Sequence, residues 1–362
     1  MLLEVSTSQM RRSFFAIAVG LFLISSVSVR AEDLAYARFA DYLDALRLQV
    51  GIPGLSAVVV GPRDILWERG FGYQDVGRAI PMRPDTLMHL DGLTQVFTAS
   101  FILQCVEQNR MSLDDPIGAY ISGAPEPEAT FRQLLSHTST TNNLLTYSYR
   151  PERLDALAAV IRRCEGASYR SASAGLFERM AMASSVPGQD VLKVLQPTPE
   201  GEPDTEREHY TSVLERLATP YAVDSQRLAT VTQFSASTLT ASTGLISTAH
   251  DYAQFDLALR SGILMRPETL AEAWHAPVDN ITGKSLPHGL GWFVQSYNGD
   301  PVIWQIGSGE NGSSSMVITL PARGVTLVLL ANSNGLVNSF PLIDGDVSAS
   351  PFGRVFLSLF TR

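Results

Sequence analysis

Strand-like segments occur at both ends of the chain, and a long helical stretch separates them. Residues 51–76 (GIPGLSAVVVGPRDILWERGFGYQDV) predict two strands joined by a Gly-Pro-Arg-Asp turn. Four more strand patterns follow in the last third, at 288–297, 301–307, 314–320 and 325–332. This order predicts a mixed α/β fold, in which strands from both ends share one antiparallel central sheet with helices on both faces.

The middle of the chain predicts a mostly helical subdomain over about 89–235, inserted into an α/β part formed by about 32–88 and 236–362. Its first helix is predicted at Leu93–Arg110, with Asp91 placed to cap the N-terminus. An insertion of this kind creates a cleft against the sheet. Clefts at such boundaries are common ligand sites.

The first residues have the composition of an export signal. Arg11 and Arg12 precede an apolar run from Phe14 to Val27, and small residues lead to a cleavage site after Ala31. We therefore expect a signal peptide over 1–31 and a periplasmic or secreted protein. An uncleaved membrane anchor is the alternative, and it would be the chain's one contact with a membrane.

Charge and residue spacing exclude several classes of partner. Residues 32–362 contain 24 basic and 35 acidic residues, a balance that disfavours nucleic acid and anionic lipid. Neither a zinc-binding spacing of His and Cys nor a glycine-rich nucleotide motif is present, so no cofactor is expected. Cys105 and Cys164 could form a disulfide or remain buried thiols, and the sequence leaves both open.

A series of segments carries a family likeness in a shared order. Each segment alone is weakly specific: GIPGLSAVVV (51–60), MSLDDPIGAYI (111–121), FRQLLSHTS (131–139), RLATPY (216–221), STGLISTAHDYAQF (242–255), HGLGWFV (288–294) and VTLVLLANSNG (325–335). Together they resemble the serine β-lactamase-like superfamily, in the branch of class C β-lactamases, D-alanyl-D-alanine carboxypeptidases and related esterases. The resemblance implies the β-lactamase/transpeptidase-like fold.

The family's nucleophile and base are absent at the matching positions. The resemblance implies a Ser-x-x-Lys motif, whose amine accepts the serine proton. Aligned on 96–116, the motif falls on Gly92 and Gln95. Glycine has no nucleophile, and a carboxamide is not a useful base at neutral pH. The chain has two lysines, Lys193 and Lys284, and neither follows a serine at this spacing.

Two further motifs are also altered. The family's Tyr-x-Asn motif falls on Tyr149 and Pro151, so the tyrosine is kept while the asparagine that would hold a substrate amide is lost. Tyr149 also fits a packing role. The Lys-Thr-Gly motif falls on Gln305 and Gly307, which removes its cation and keeps its glycine. His137 matches a family position that is structural.

One catalytic element does not depend on side chains. The resemblance implies an oxyanion hole formed by the backbone N–H groups of Gly92 and Ser308. We therefore expect a catalytically impaired homologue that binds a cell-wall peptide, a small carbonyl or carboxylate ligand, or a protein partner.

Two alternatives remain open from the sequence. The first is an active hydrolase of β-lactams, esters or D-amino-acid peptides that uses a non-standard nucleophile or activated water, with Tyr149 or Ser308 required for turnover. The second is a structural remnant whose cleft is filled by side chains such as Gln95 and Gln305.

Overall fold

The computed structural model describes residues 34–141, 144–197, 203–235, 238–279 and 281–361. The predicted signal peptide at 1–31 lies outside the described residues. Residues 46–362 belong to one compact unit. Among the described residues, no helix combines the length and the apolar content that a membrane span requires.

The strands fall into two groups, one at each end of the chain, with short hairpins between them. In chain order they are β1 (Gly54–Val60), β2 (Ile65–Asp75), β3 (Ile80–Pro81), β4 (Met88–His89), β5 (Thr138–Thr141), β6 (Leu144–Tyr147), β7 (Tyr221–Val223), β8 (Ala229–Val231), β9 (Ile246–Ser247), β10 (Phe293–Tyr297), β11 (Asp300–Ser308), β12 (Ser314–Leu320) and β13 (Val325–Ala331).

Most of the helices lie between these two groups of strands. They are α1 (34–49), α2 (Thr94–Glu107), α3 (Phe131–Leu135), α4 (Leu157–Glu165), α5 (Tyr169–Arg179), α6 (Val191–Val194), α7 (Thr205–Leu214), α8 (Ala249–Arg260), α9 (Pro267–Ala273) and α10 (Pro351–Phe360).

Seven strands form one antiparallel sheet in the order β10-β11-β12-β13-β1-β2-β3. The two groups meet where β1 pairs with β13, from Leu55 opposite Ala331 to Val60 opposite Thr326. Every residue of β1 is buried, which is the pattern of a central strand covered on both faces. The predicted mixed α/β fold with an antiparallel central sheet is confirmed.

One face of the sheet packs on α2 and α8 in a single large apolar cluster. Phe97 of α2 stacks on Phe255 of α8, with ring centroids 4.1 Å apart. Apart from Gln104 and the residues of its last turn, α2 is buried along its whole length, far beyond the single face predicted from the sequence. Because α2 is fixed on all sides, the residues that lead into it have a defined position against the sheet.

Cys105 in α2 and Cys164 in α4 form a disulfide bond. This settles the alternative that the sequence left open. The carboxylate of Glu165 lies beside the two sulfurs. Sulfurs joined in a disulfide are not thiolates, so these three residues do not constitute a metal site.

Candidate functional site

The segment that the sequence analysis predicts to match the family's nucleophile motif enters α2 directly against the sheet. Gly92 lies in a 3-10 turn, Asp91–Leu93, that immediately precedes α2. A Cβ atom built on Gly92 would lie 2.6 Å from the carbonyl oxygen of Ile306 in β11. Contacts this short between Cβ and backbone do not occur without a backbone shift. The position therefore lacks a nucleophile and also lacks the space for one.

Gly307 explains why β11 approaches so closely. A Cβ atom at this position would lie 2.3 Å from the carbonyl oxygen of Leu90 and 2.9 Å from the backbone nitrogen of Gly92. A glycine in a strand commonly marks the close approach of another backbone. The two glycines, Gly92 and Gly307, thus allow direct contact between the turn and the strand.

Gln95 is fully buried and is held at both ends of its carboxamide. The backbone N–H of Arg150 donates to His137 Nδ1 at 3.2 Å, so the proton of the neutral imidazole is assigned to Nε2. That N–H donates to Gln95 Oε1 at 3.0 Å. Gln95 Nε2 in turn donates to the Tyr149 hydroxyl oxygen at 2.8 Å. Burial lowers the pKa of His137 well below its usual value, which keeps this chain neutral.

Tyr149 is positioned as a partner of Gln95 and is not activated as a base. Its ring also contacts His137 and Phe293, at centroid distances of 4.6 and 5.4 Å. Burial raises the pKa of Tyr149 to about 12, so the phenol stays protonated at neutral pH. Pro151 begins the 3-10 helix that follows and contributes no side-chain donor.

Gln305, which we predict to stand at the lysine position of the Lys-Thr-Gly motif, is also fully buried. His288 Nδ1 donates to the Gly289 carbonyl at 2.9 Å, which leaves Nε2 as an acceptor. Gln305 Nε2 lies 3.3 Å from that nitrogen and donates to the Gly291 carbonyl at 3.0 Å. Burial lowers the pKa of His288 to about 4. This second network is therefore neutral as well.

Ser308 ends β11 and is exposed. Its hydroxyl donates to Oδ1 of Asn338. An amide oxygen does not accept the proton of an attacking hydroxyl at neutral pH, so Ser308 has no base in this arrangement.

An open cavity of about 890 Å³ lies above these groups. Gly92, Tyr149, Pro151 and Ser308 line it, whereas Gln95 and Gln305 lie outside its lining. The volume falls within the usual range for small-molecule sites, roughly 300–1,000 Å³. The two glutamines therefore do not fill the cleft, so they give no support to the alternative of a structural remnant.

Asp91 has a different role from the helix cap predicted for it. Leu93 is the residue that precedes α2, and no side chain caps that helix. Asp91 instead lines the cavity, with the Ser313 side chain and the Gly309 backbone near its carboxyl group. Its Oδ2 has no hydrogen-bond partner among the described residues, although the side chain is only 3 % exposed.

The backbone of Asp91 is also unusual. Its φ of 48° lies in the left-handed region, which Asp tolerates better than most residues. Burial raises the pKa of this carboxyl to about 6. Strained backbone and perturbed carboxyls occur more often at functional sites than elsewhere. The sequence signal for Asp91 was a single acidic residue in an apolar run, which also fits a cap.

A sequence profile described as Beta-lactamase matches residues 37–345. The chain belongs to the beta-lactamase family. Among curated members, it is 31 % identical to the mitochondrial serine beta-lactamase-like protein LACTB of Bos taurus over 106 residues, 27 % of this chain and 19 % of that protein. It is 30 % identical to Protein flp of Staphylococcus aureus (strain NCTC 8325 / PS 47) over 99 residues, 25 % of this chain and 20 % of that protein. These matches span about a fifth of the relatives' lengths.

Solved beta-lactamase-like structures share the fold across most of the chain. An octameric penicillin-binding protein homologue from Pyrococcus abyssi superposes with a TM-score of 0.70 at 16 % identity, covering 90 % of this chain and 78 % of that one. The D-alanine carboxypeptidase AmpC from Burkholderia cenocepacia gives 0.65 at 18 % identity, with coverages of 89 % and 99 %. A class C beta-lactamase from Rhodobacter sphaeroides gives 0.63 at 18 %, with 89 % and 98 %. These likenesses establish the fold.

Proposed function

We propose that this protein is a member of the beta-lactamase family that binds a ligand in its cleft without forming an acyl-enzyme. The observation that carries the proposal is the position of the Ile306 carbonyl oxygen, 2.6 Å from where a Cβ atom on Gly92 would stand. This leaves no room for a nucleophilic side chain. The neighbouring cavity remains open. The chemistry of the family is therefore absent while a site for a ligand persists.

The groups that surround Gly92 support the same conclusion. Gln95 and Gln305 satisfy their hydrogen bonds within the protein, and both networks are neutral. Loss of one member of a nucleophile and base unit commonly costs several orders of magnitude in rate. Here Gly92, Gln95 and Gln305 stand at the positions predicted for the serine, the lysine and the cation of the Lys-Thr-Gly motif.

The ligand we propose is small or is a short extended segment, such as a cell-wall peptide or another molecule with a carbonyl group. Gly92 and Ser308 both line the cavity, and backbone N–H groups at these positions can hold a carbonyl oxygen without any catalytic side chain. A protein partner that inserts a loop into the cleft would use the same donors.

We place this function in an exported protein. The Cys105–Cys164 disulfide is compatible with an oxidising compartment such as the periplasm, and it complements the export signal predicted at 1–31. A measurement of the mature N-terminus by mass spectrometry tests this, with cleavage expected after Ala31. Detection of residues 1–31 in the mature protein would contradict cleavage and would favour the uncleaved membrane anchor.

The main test is covalent labelling with a fluorescent penicillin, followed by denaturing electrophoresis. We expect no label on this protein and full label on an active class C enzyme treated in parallel. A Gly92→Ser, Gln95→Lys variant is expected to remain unlabelled as well, because the Ile306 carbonyl occupies the space that the serine needs. Label on the unaltered protein would overturn the proposal.

Hydrolysis without an acyl-enzyme is the second candidate, and one observation favours it. Asp91 lines the cavity, and a pKa of about 6 suits a general base. In this scheme Asp91 takes a proton from water, the hydroxide adds to an ester carbonyl, and the alkoxide leaving group recovers the proton. Ester turnover that is lost in Asp91→Asn would support this candidate, and no turnover in purified protein would exclude it for the esters tested.

A further inference from the structure

The wall of the cavity carries charge of one sign. Its lining includes four carboxyl groups and, among the described residues, no Lys, Arg or His. Glu152, Glu310 and Asp344 are exposed around it, whereas Asp91 is buried in its wall. A cleft lined by one sign of charge concentrates ions of the opposite sign.

The geometry of Asp91 adds an independent observation. Its side chain is only 3 % exposed, and the Ser313 side chain and the Gly309 backbone lie near its carboxyl group. Oδ2 is left without a donor among the described residues. A buried carboxylate oxygen without a partner is costly, and such groups normally pair with a cation or a hydrogen-bond donor. The protein therefore presents an acceptor that a ligand donor would satisfy.

Apolar side chains form another part of the cavity wall. Val337, Phe340 and Leu342 line the cavity together with Pro151. Pockets of this kind bind the body of a ligand by apolar contact and fix its orientation through a few polar groups. A flexible cation with an apolar body matches both parts of this wall.

We propose that the cleft recognises a cationic ligand, in which an amine or guanidinium group binds the carboxyl group of Asp91 and an apolar body packs on Val337, Phe340 and Leu342. This inference rests on the proposed function, since it names the ligand class of the same cleft. The ammonium or guanidinium supplies the missing hydrogen-bond donor and the compensating charge. A ligand carboxylate would instead meet four carboxyl groups and no cation among the described residues. Of the small ligands expected from the sequence, a neutral carbonyl compound therefore fits this cleft better than a carboxylate does.

Three probes of equal length test the charge preference directly. They are 4-phenylbutylamine, 4-phenylbutanol and 4-phenylbutyrate, which share an apolar body and differ in the head group. Dissociation constants measured at pH 7.5 by ligand-observed NMR or calorimetry are expected to be at least tenfold lower for the amine than for the alcohol, with the acid weakest. Equal or tighter binding of the acid would overturn the inference.

Two variants test which carboxyl group of the cavity binds the cationic head of the ligand. Asp91→Asn keeps the size of the side chain and tolerates the same left-handed backbone, and it is expected to weaken amine binding at least tenfold and alcohol binding less than threefold, because only the amine loses a charge interaction. Glu310→Gln removes an exposed carboxylate and is expected to change amine binding less than threefold, because exposed charges are screened. Equal losses in the two variants would contradict a specific role for Asp91.

The outcome is separable from that of the proposed function. If penicillin does not label the protein but the amine fails to bind, the loss of acylation stands and the cationic ligand is rejected. If penicillin labels the protein, the proposed function fails whatever the amine does. Alcohol binding that changes less than threefold in Asp91→Asn, together with a cooperative unfolding transition in urea, reports that the altered cleft is intact.

Discussion

The carbonyl oxygen of Ile306 lies 2.6 Å from the place where a Cβ atom on Gly92 would stand. This short distance brings the end of β11 close to the residues that precede α2, although the two are more than 200 residues apart in the chain. It means that a side chain has no room at the position that we predict to match the family's nucleophile. Restoring a serine there requires a backbone movement in addition to the substitution.

Gly92→Ala is expected to destabilise the protein by about 1–3 kcal/mol, the usual cost of overpacking a close-packed site. The measurement is the free energy of unfolding in urea. Gly175→Ala in α5 is a matched control, since its Cβ would meet nothing nearer than Arg179 Nη1 at 3.6 Å. That control is expected to gain about 0.5–1 kcal/mol, as alanine is favoured over glycine within a helix. An unchanged free energy of unfolding in Gly92→Ala would show that β11 can move aside at little cost.

Gln95→Leu is expected to destabilise the protein because it removes the partners of His137 Nε2 and the Tyr149 hydroxyl together. Each buried polar group left without a partner costs about 1–3 kcal/mol. Gln104→Leu on the same helix provides the comparison, since this half-buried side chain donates one bond to the Leu264 carbonyl. A smaller loss is expected there because water can replace the bond. Similar losses in the two variants would argue against the buried network.

Asp91→Asn is expected to stabilise the protein at pH 7 and to have little effect at pH 4. Burial raises the pKa of Asp91 from 3.8 to about 6, so the folded state retains the proton more strongly than the unfolded state. The stability due to this group is therefore lost as pH rises from about 4 to 6, and a shift of about two units corresponds to about 3 kcal/mol. Urea unfolding of both proteins across this range measures the effect.

The difference between the two proteins isolates Asp91 from its neighbours. Glu152, Glu310 and Asp344 share the cavity wall, and Tyr149 faces it from the adjacent segment. These groups are present in both proteins, so their ionisation cancels in the difference. A difference that does not change with pH would contradict the raised pKa of Asp91.

Replacing Cys105 and Cys164 together by alanine is expected to lower the free energy of unfolding by about 2–4 kcal/mol, the typical contribution of a disulfide. The bond closes a sequence separation of 59 residues between α2 and α4. Reducing agent should destabilise the unaltered protein by a similar amount and leave the double variant unchanged. Equal stability of the unaltered protein with and without reductant would contradict the bond.

The sequence predicted the sheet well because strand patterns are local. Apolar runs such as that of β1 are bounded by turn residues, and pairing between the chain ends follows from the order of the elements. Asp91 was misassigned for a related reason. An acidic residue before an apolar helix fits a cap by spacing alone, whereas the groups that lie near its carboxyl, Gly309 and Ser313, come from a loop that is more than 200 residues away.

The sequence by itself determined the family fold and the absence of the family's side chains, since both depend on the identity and order of residues. Tertiary structure decided what the altered positions became. It closed the space at Gly92, engaged Gln95 and Gln305 in neutral networks, and left a cavity with the unpartnered carboxylate oxygen of Asp91 in its wall. These outcomes depend on distances between atoms remote in the chain, which no local pattern contains.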